Sequence, residues 1–386
     1  MLVKQFDQDI ANEYLRAVNS GLRETPLHGR HVALGAKTAD FGGWDMPIEY
    51  TGVLVEHEAV RTAVGIFDVS HMGKVRIHGE GAIDYLNGIL TNDLDRIGDG
   101  RAQYTMLCNE FGGVVDDLIV YRWAADEVFM VPNAANARTV VEILRDGAPA
   151  GVGIEDHHET HGIIAVQGPS SRALIESIGL PADMDYMAMV SASHRGEPVI
   201  VCRSGYTGEL GYELVVPEII LGPLWDVLLE RGQALGAVPA GLGARDTLRL
   251  EMGYPLHGQD IAIDITPVEA GLSWAVGWEK PEFVGREALL RQREEGPRRR
   301  LRGLKAVERG IPRAHMHVHG LADEELSEPA IGDITSGTFS PSLKCGIALA
   351  LLDADVEPDT DVLVDVRGRP VRFHVTKPPF HAASTR

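Results

Sequence analysis

The chain has 386 residues, 44% hydrophobic and 24% charged, with 56 acidic against 36 basic side chains and a formal net charge of -20. That length exceeds what one hydrophobic core usually organises, so two or more subdomains are expected. The acidic balance excludes nonspecific binding to nucleic acid or an anionic membrane, which needs a basic footprint, but leaves room for a local basic pocket.

At the N-terminus, Asp7, Asp9 and Glu13 argue against a secretory leader and against an acid-poor transit peptide. Phe6, Ile10 and Tyr14 recur at i, i+4 and predict a short amphipathic helix. A strand follows at Lys74 to His78 and a helix at Gly81 to Leu90. Further strands are expected at Leu118 to Tyr121, Gly162 to Val166, Pro198 to Cys202 and Glu213 to Val216, and a helix at Leu224 to Leu235 after a turn at Gly222-Pro223. Helices and strands mix without strict βαβ alternation, which predicts an α+β fold with largely antiparallel sheets. The charged stretch Arg293 to Arg300, broken by Gly296-Pro297, marks a boundary. Short strand-like runs follow at Leu301 to Ala306, Cys345 to Leu352, Val362 to Val366 and Val371 to Val375, and predict a small C-terminal β-barrel-like domain. The expected division is an extension at 1–24, a body at 25–290 and a barrel domain at 291–386. The apolar run Cys345 to Leu352 is far below the roughly 18 residues needed to span a bilayer. Cys108, Cys202 and Cys345 form no CxxC pair, so a reducing cytoplasm is the natural compartment.

Several familiar signatures fail. Gly241-Leu242-Gly243 continues as Ala244-Arg245-Asp246, so GxGxxG is not completed, and neither a Walker A sequence nor a GxSxG elbow is present. His315, His317 and His319 would share one strand face but lack an acidic or Cys partner beside them, which favours a polar face over a metal site. Asp156-His157-His158-Glu159-Thr160-His161 reads as an exposed turn.

Four carboxylate and guanidinium side chains carry possible chemistry. Asp116 and Asp117 stand at the mouth of the apolar strand Leu118 to Tyr121. Successive strand side chains face opposite ways, so only one of the pair can enter a given pocket. There it could serve as acid, base or cation stabiliser; otherwise the pair is a solvated strand entry. Glu209, flanked by glycines in Gly205-Tyr206-Thr207-Gly208-Glu209, could accept paired hydrogen bonds or be an exposed turn acid. Arg245 could offer planar donors to a ligand or pair with Asp246 or Glu251.

The blocks Gly42-Gly43-Trp44-Asp45-Met46-Pro47, Phe67 to Val75 (FDVSHMGKV), Asn109 to Tyr121 (NEFGGVVDDLIVY), Gly205 to Glu213 (GYTGELGYE), Gly241 to Gly258 (GLGARDTLRLEMGYPLHG), Thr335 to Ser342 (TSGTFSPS) and Thr376-Lys377-Pro378 occur in this order. Together they resemble the glycine cleavage aminomethyltransferases, or T-proteins, from about Thr25 to Phe380. The resemblance implies transfer of an aminomethyl carbon from the lipoyl arm of a carrier, the H-protein, to tetrahydrofolate, with release of ammonia and no metal. It implies that Asp116 is the catalytic carboxylate near N10 of the folate, with Asp117 facing away. It also implies that Glu209 grips the pterin, that Arg245 contacts the folate, and that Tyr104 and Asn133 line its cavity. Arg249 is expected to be structural. The tail Phe380-His381-Ala382-Ala383-Ser384 lacks the tyrosine that members can carry there, so no C-terminal ligand contact is expected.

Two relatives of the family are the alternatives. Sarcosine- and dimethylglycine-oxidising enzymes usually carry a flavin domain, whose nucleotide fingerprint is missing, and free-standing folate-dependent demethylases diverge in these blocks. Folate-binding iron–sulfur maintenance proteins carry a KGCYxGQE-like segment, whereas Tyr254 to Asp260 contains no Cys.

Overall fold

The alternation of side chains along two long strands sets the layering. The structure, a computed structural model, describes residues 21–384, so the N-terminal helix expected around Phe6 to Tyr14 lies outside the described residues. One antiparallel sheet has the strand order Arg101–Cys108, Val114–Ala124, Glu127–Val131, Val75–His78, Gly153–Asp156. On Val114–Ala124, Leu118 and Val120 point into a core capped by the helices Ala82–Ile89 and Ala137–Gly147, where they meet Leu86, Val140 and Leu144. Ile119 and Tyr121 point the other way, toward the second sheet.

The second sheet runs Met189–His194, Glu197–Cys202, Gly211–Pro217, His161–Gln167, Val64–Asp68, Ala237–Pro239, antiparallel except for its last pairing. Tyr212, Leu214 and Val216 fill an outer core with Leu174, Leu221, Trp225 and Leu228 of the covering helices, while Val215 faces the first sheet. The helix Glu218–Gly232 runs through the turn expected at Gly222-Pro223. Pro223 lacks one helical donor, but the buried row Leu221, Leu224, Trp225 and Leu228 favours continuing the helix.

Beyond the helix Arg286–Glu295, six strands close a barrel in the order Arg299–Ala306, Cys345–Asp353, Gly332–Ser340, His317–Gly320, Asp361–Asp365, Pro370–Thr376. Ala348, Ala350 and Leu352 fill its interior, and Ile347 and Leu349 pack outward on Leu250 of the body. Both faces of Cys345–Asp353 are therefore covered, which explains its unbroken apolar run. His315 precedes its strand at φ 68°, and His317 and His319 pair with Asp333 and Asp323. His158, in the segment read as an exposed turn, stacks on Trp44.

A buried polar seam ties barrel to body. Glu251, at the end of the helix Leu242–Glu251, accepts from Ser340 Oγ at 2.5 Å, Ser342 Oγ at 2.8 Å and Arg61 Nη2 at 2.7 Å. Arg249 joins Asp260 at 2.8 Å and Ser336 at 2.8 Å, the structural role expected of it. Burial alone would raise the Glu251 carboxyl, but His57, Ser340 and Arg61 hold it well below the usual carboxylate range. A depressed carboxyl stabilises the fold above its unfolded pKa and loses that contribution as pH falls through its folded one. Glu251→Gln should therefore lower the unfolding free energy at pH 7 by about 3–5 kcal/mol, the range for breaking a buried ion pair. In denaturant titrations that deficit should shrink below about pH 4. An unchanged midpoint at pH 7 would show that the seam does not depend on this charge.

Candidate active site

Between the inner faces of the two sheets, closed by the helix Leu242–Glu251 and the barrel-side residues Leu301, Leu349 and Lys377 to Pro379, lies a cavity of about 1460 Å³. Tyr104, Asp117, Asn133, Tyr206, Glu213 and Arg245 contribute to its wall.

Of the aspartate pair, Asp117 and not Asp116 reaches the cavity lining. Asp116 shares a face with Leu118 and Val120 and is fully buried behind the cavity wall. Asp117 shares a face with Ile119 and Tyr121 and lines the cavity. Near them the strand carries an irregularity, with Leu107 opposite Asp116 but Cys108 opposite Val114; such bulges re-aim neighbouring side chains. Asp116 accepts from Asn133 N at 3.0 Å, Asn133 Nδ2 at 2.9 Å and Asn136 Nδ2 at 2.7 Å. Asp117 accepts from the Tyr104 hydroxyl at 3.1 Å and from Asn133 Nδ2 at 2.7 Å. The Asn133 amide thus bridges the two carboxyl groups. Burial raises both carboxyls above the ordinary range, and the charge of Asp117 pushes Asp116 further, against the hydrogen bonds from Asn136 and Asn133.

The glutamate expected at the ligand is likewise not among the cavity-lining residues. Glu209 is buried away from the cavity lining, accepting from Arg61 Nη1 at 2.8 Å and from the Ser384 hydroxyl. The glutamate in the wall is Glu213, on Gly211–Pro217, which accepts from Ser204 Oγ at 2.5 Å. Ser204 in turn meets the Tyr121 hydroxyl at 2.9 Å. The signal was present: Glu213 is the one carboxylate in Gly211-Tyr212-Glu213-Leu214-Val215-Val216, and alternation puts it beside Val215 on the inner face.

Arg245 lines the cavity, as expected. It pairs with neither Asp246 nor Glu251, whose partners are Arg249 and Arg61. Its guanidinium lies 4.7 Å from the Tyr206 ring centroid, and among the described residues its buried Nη1 has no hydrogen-bond partner. Burial lowers its pKa, opposed by the nearby charge of Glu213. A desolvated cation with a free donor is suited to a ligand oxygen. Tyr104 stacks on Trp274 with centroids 5.5 Å apart, and Trp274 is 64% exposed at the cavity wall. Three of the five expected residues, Tyr104, Asn133 and Arg245, therefore share the cavity wall; Asp116 stands behind it and Glu209 elsewhere. Tyr206, Trp274 and His257 also line it, and only their long-range partners reveal them. The wall combines aromatic faces, a free guanidinium donor, a carboxylate acceptor in Glu213 and a raised carboxyl in Asp117. It can hold a flat heteroaromatic ligand and move a proton at one point.

Residues 27–280 match the family described as the GCVT N-terminal domain, and residues 299–381 match the glycine cleavage T-protein C-terminal barrel domain. The chain is 58% identical over 367 residues to an aminomethyltransferase of Parafrankia sp. (strain EAN1pec), covering 95% of this chain and 99% of that protein. It is 53% identical over 363 residues to an aminomethyltransferase of Mycobacterium tuberculosis (strain H37Rv), covering 94% and 97%. The crystal structure of glycine cleavage system aminomethyltransferase T from Bartonella henselae superposes with a TM-score of 0.87 at 34% identity, covering 94% of this chain and 99% of that one. The chain therefore belongs to the glycine cleavage T-protein family of aminomethyltransferases.

Proposed function

We propose that this enzyme transfers the carbon of an aminomethyl group, carried through sulfur on the lipoyl arm of an H-protein, to tetrahydrofolate. The C–S and C–NH₂ bonds break, and two C–N bonds form, to N5 and N10 of the folate. The two folate protons leave with ammonia and the dihydrolipoyl thiol, so nothing is oxidised or reduced. The products are 5,10-methylenetetrahydrofolate, ammonia and dihydrolipoyl carrier. The reading needs no metal and assigns folate binding to residues 25–290, the barrel to 291–386 and the enzyme to the cytoplasm. Among the described residues no helix is long and apolar enough to cross a membrane.

The observation that carries this reading is Asp117, a raised carboxyl facing a cavity of about 1460 Å³. That volume exceeds the roughly 300–1,000 Å³ of an ordinary ligand pocket, so a folate and an incoming arm can occupy it together. Glu213 fits the paired donors of a pterin at its 2-amino group and N3, and the open Nη1 of Arg245 fits a ligand carbonyl or carboxylate. Tyr104, Tyr206 and Trp274 offer flat faces to its rings. Asp117 takes the catalytic role that the resemblance placed on Asp116. It stabilises the iminium-like carbon formed as thiolate leaves and accepts the N10 proton, while Asn133 and Tyr104 hold its two oxygens.

Asp117→Asn keeps the shape and removes the charge. Turnover should fall by about 10²–10⁴-fold, with folate affinity and thermal melting preserved, in an assay of methylenetetrahydrofolate formed from aminomethylated carrier. Because burial raises this carboxyl, the acid limb of the wild-type kcat profile should lie above the ordinary carboxylate value of about 4. Full turnover by the Asn variant would reject the assignment. Glu213→Ala should weaken tetrahydrofolate binding by about 1–3 kcal/mol in calorimetry, whereas Glu209→Ala should leave it unchanged. Sensitivity at Glu209 and not at Glu213 would reverse the pterin assignment.

A further inference from the structure

His257 lies in the loop after the helix Leu242–Glu251 and lines the cavity. Its ring makes two hydrogen bonds. Nε2 is 3.0 Å from the Val114 carbonyl oxygen, and Nδ1 is 3.0 Å from Asn136 Nδ2. A carbonyl can only accept, so Nε2 carries the proton. An amide nitrogen can only donate, so Nδ1 is bare. The two neighbours thereby fix the ring's orientation and tautomer.

The same Asn136 nitrogen donates to Asp116 Oδ1 at 2.7 Å. An unbroken chain results: the Val114 carbonyl, His257, Asn136, Asp116, Asn133, Asp117 and the Tyr104 hydroxyl. Asn136 must keep its NH₂ group toward both His257 and Asp116. Were its amide turned over, its oxygen would face the bare Nδ1 and the Asp116 carboxylate, both acceptors.

We propose that His257 is a positioning residue for the transfer reaction. By accepting from Asn136 it orients the amide that clamps Asp116. Asp116, held from that side, fixes the Asn133 amide, and Asn133 aims Asp117 into the cavity. Asp116 is on this account the middle of a lever and does not meet the substrate. Val114 belongs to the strand that bears both aspartates, so the imidazole also braces its own target's backbone. The proposal rests on the assignment of Asp117 as the acting carboxylate.

Two substitutions separate this role from simple space filling. His257→Leu removes both hydrogen bonds. His257→Asn supplies a side-chain oxygen near the Nδ1 position and restores the acceptor for Asn136. Each is assayed with aminomethylated lipoyl carrier and tetrahydrofolate, with folate calorimetry and thermal melts alongside. His257→Leu should lower kcat by about 10–100-fold, the scale of a misaimed reacting group, with KM and folate affinity nearly unchanged. His257→Asn should recover most of kcat. Added to Asp117→Asn, His257→Leu should cost almost nothing more, because both act on one carboxylate. Should His257→Leu fail to fold, Asn136→Ala carries the same expectations. Wild-type kcat in the Leu variant, no recovery in the Asn variant, or losses that multiply in the double variant would each overturn the proposal. Failure of the Asp117 assignment would show separately, as turnover insensitive to Asp117→Asn alone.

Discussion

Two consecutive residues of a β-strand cannot present their side chains to the same face, and the site is organised around that constraint at Asp116 and Asp117. One carboxyl enters the cavity and the other enters the wall behind it. Asn133 reaches both across the strand edge, with its amide 2.9 Å from Asp116 and 2.7 Å from Asp117. The pair is thus one electrostatic unit with a single exposed end. The two-sheet body follows from the same alternation: Leu118 and Val120 anchor the strand to its helices, while Ile119 and Tyr121 leave the opposite face for the second sheet and the cavity.

The fold treats its buried carboxylates in two different ways. Glu251 and Glu209 are joined to Arg61, and the Glu251 carboxyl is held well below the ordinary range. Asp116 and Asp117 receive donors from asparagine and tyrosine but, among the described residues, no salt bridge, and their carboxyls rise. A neutral donor offsets part of the desolvation cost without cancelling the preference for a proton. Glu251, which ties barrel to body, is therefore held as an anion, whereas the Asp116 and Asp117 carboxyls are shifted toward the protonated form. Arg245 mirrors this arrangement. It is a buried cation with an open donor at the cavity, while Arg249, one helical turn on, has its donors engaged with Asp246, Asp260 and Ser336.

Much of the fold was legible because alternation and turn residues are local. The barrel strands, the strand around Leu118 and the helix after Gly81 followed from pattern alone. The turn at Gly222-Pro223 did not survive, because the buried face of Leu221, Leu224, Trp225 and Leu228 outweighs one missing donor. The ordered motifs led to the segments that form the cavity, and Tyr104, Asn133 and Arg245 line it, whereas in two of those segments the acid at the wall is Asp117 or Glu213 and not the expected Asp116 or Glu209. At Asp116-Asp117 both strand faces are apolar, so nothing local says which one meets a helix and which a cavity. At Glu209 and Glu213 the choice depends on Arg61, 148 positions from Glu209, which captures the loop acid and leaves the strand acid to the cavity. His257 was silent for the same reason, since its partners Val114 and Asn136 are distant in the chain.

The central claim is that substrate meets Asp117, Glu213 and Arg245, while Asp116 stays behind the wall and Glu209 stays with Arg61. A crystal structure of the enzyme with tetrahydrofolate bound tests it most directly. The account predicts the Asp117 carboxyl within hydrogen-bonding distance of a folate amine nitrogen, with Glu213 and Arg245 on the pterin edge and Asp116 still held by Asn133 and Asn136. A folate that touches Asp116 or Glu209, with Asp117 turned away from it, would contradict it.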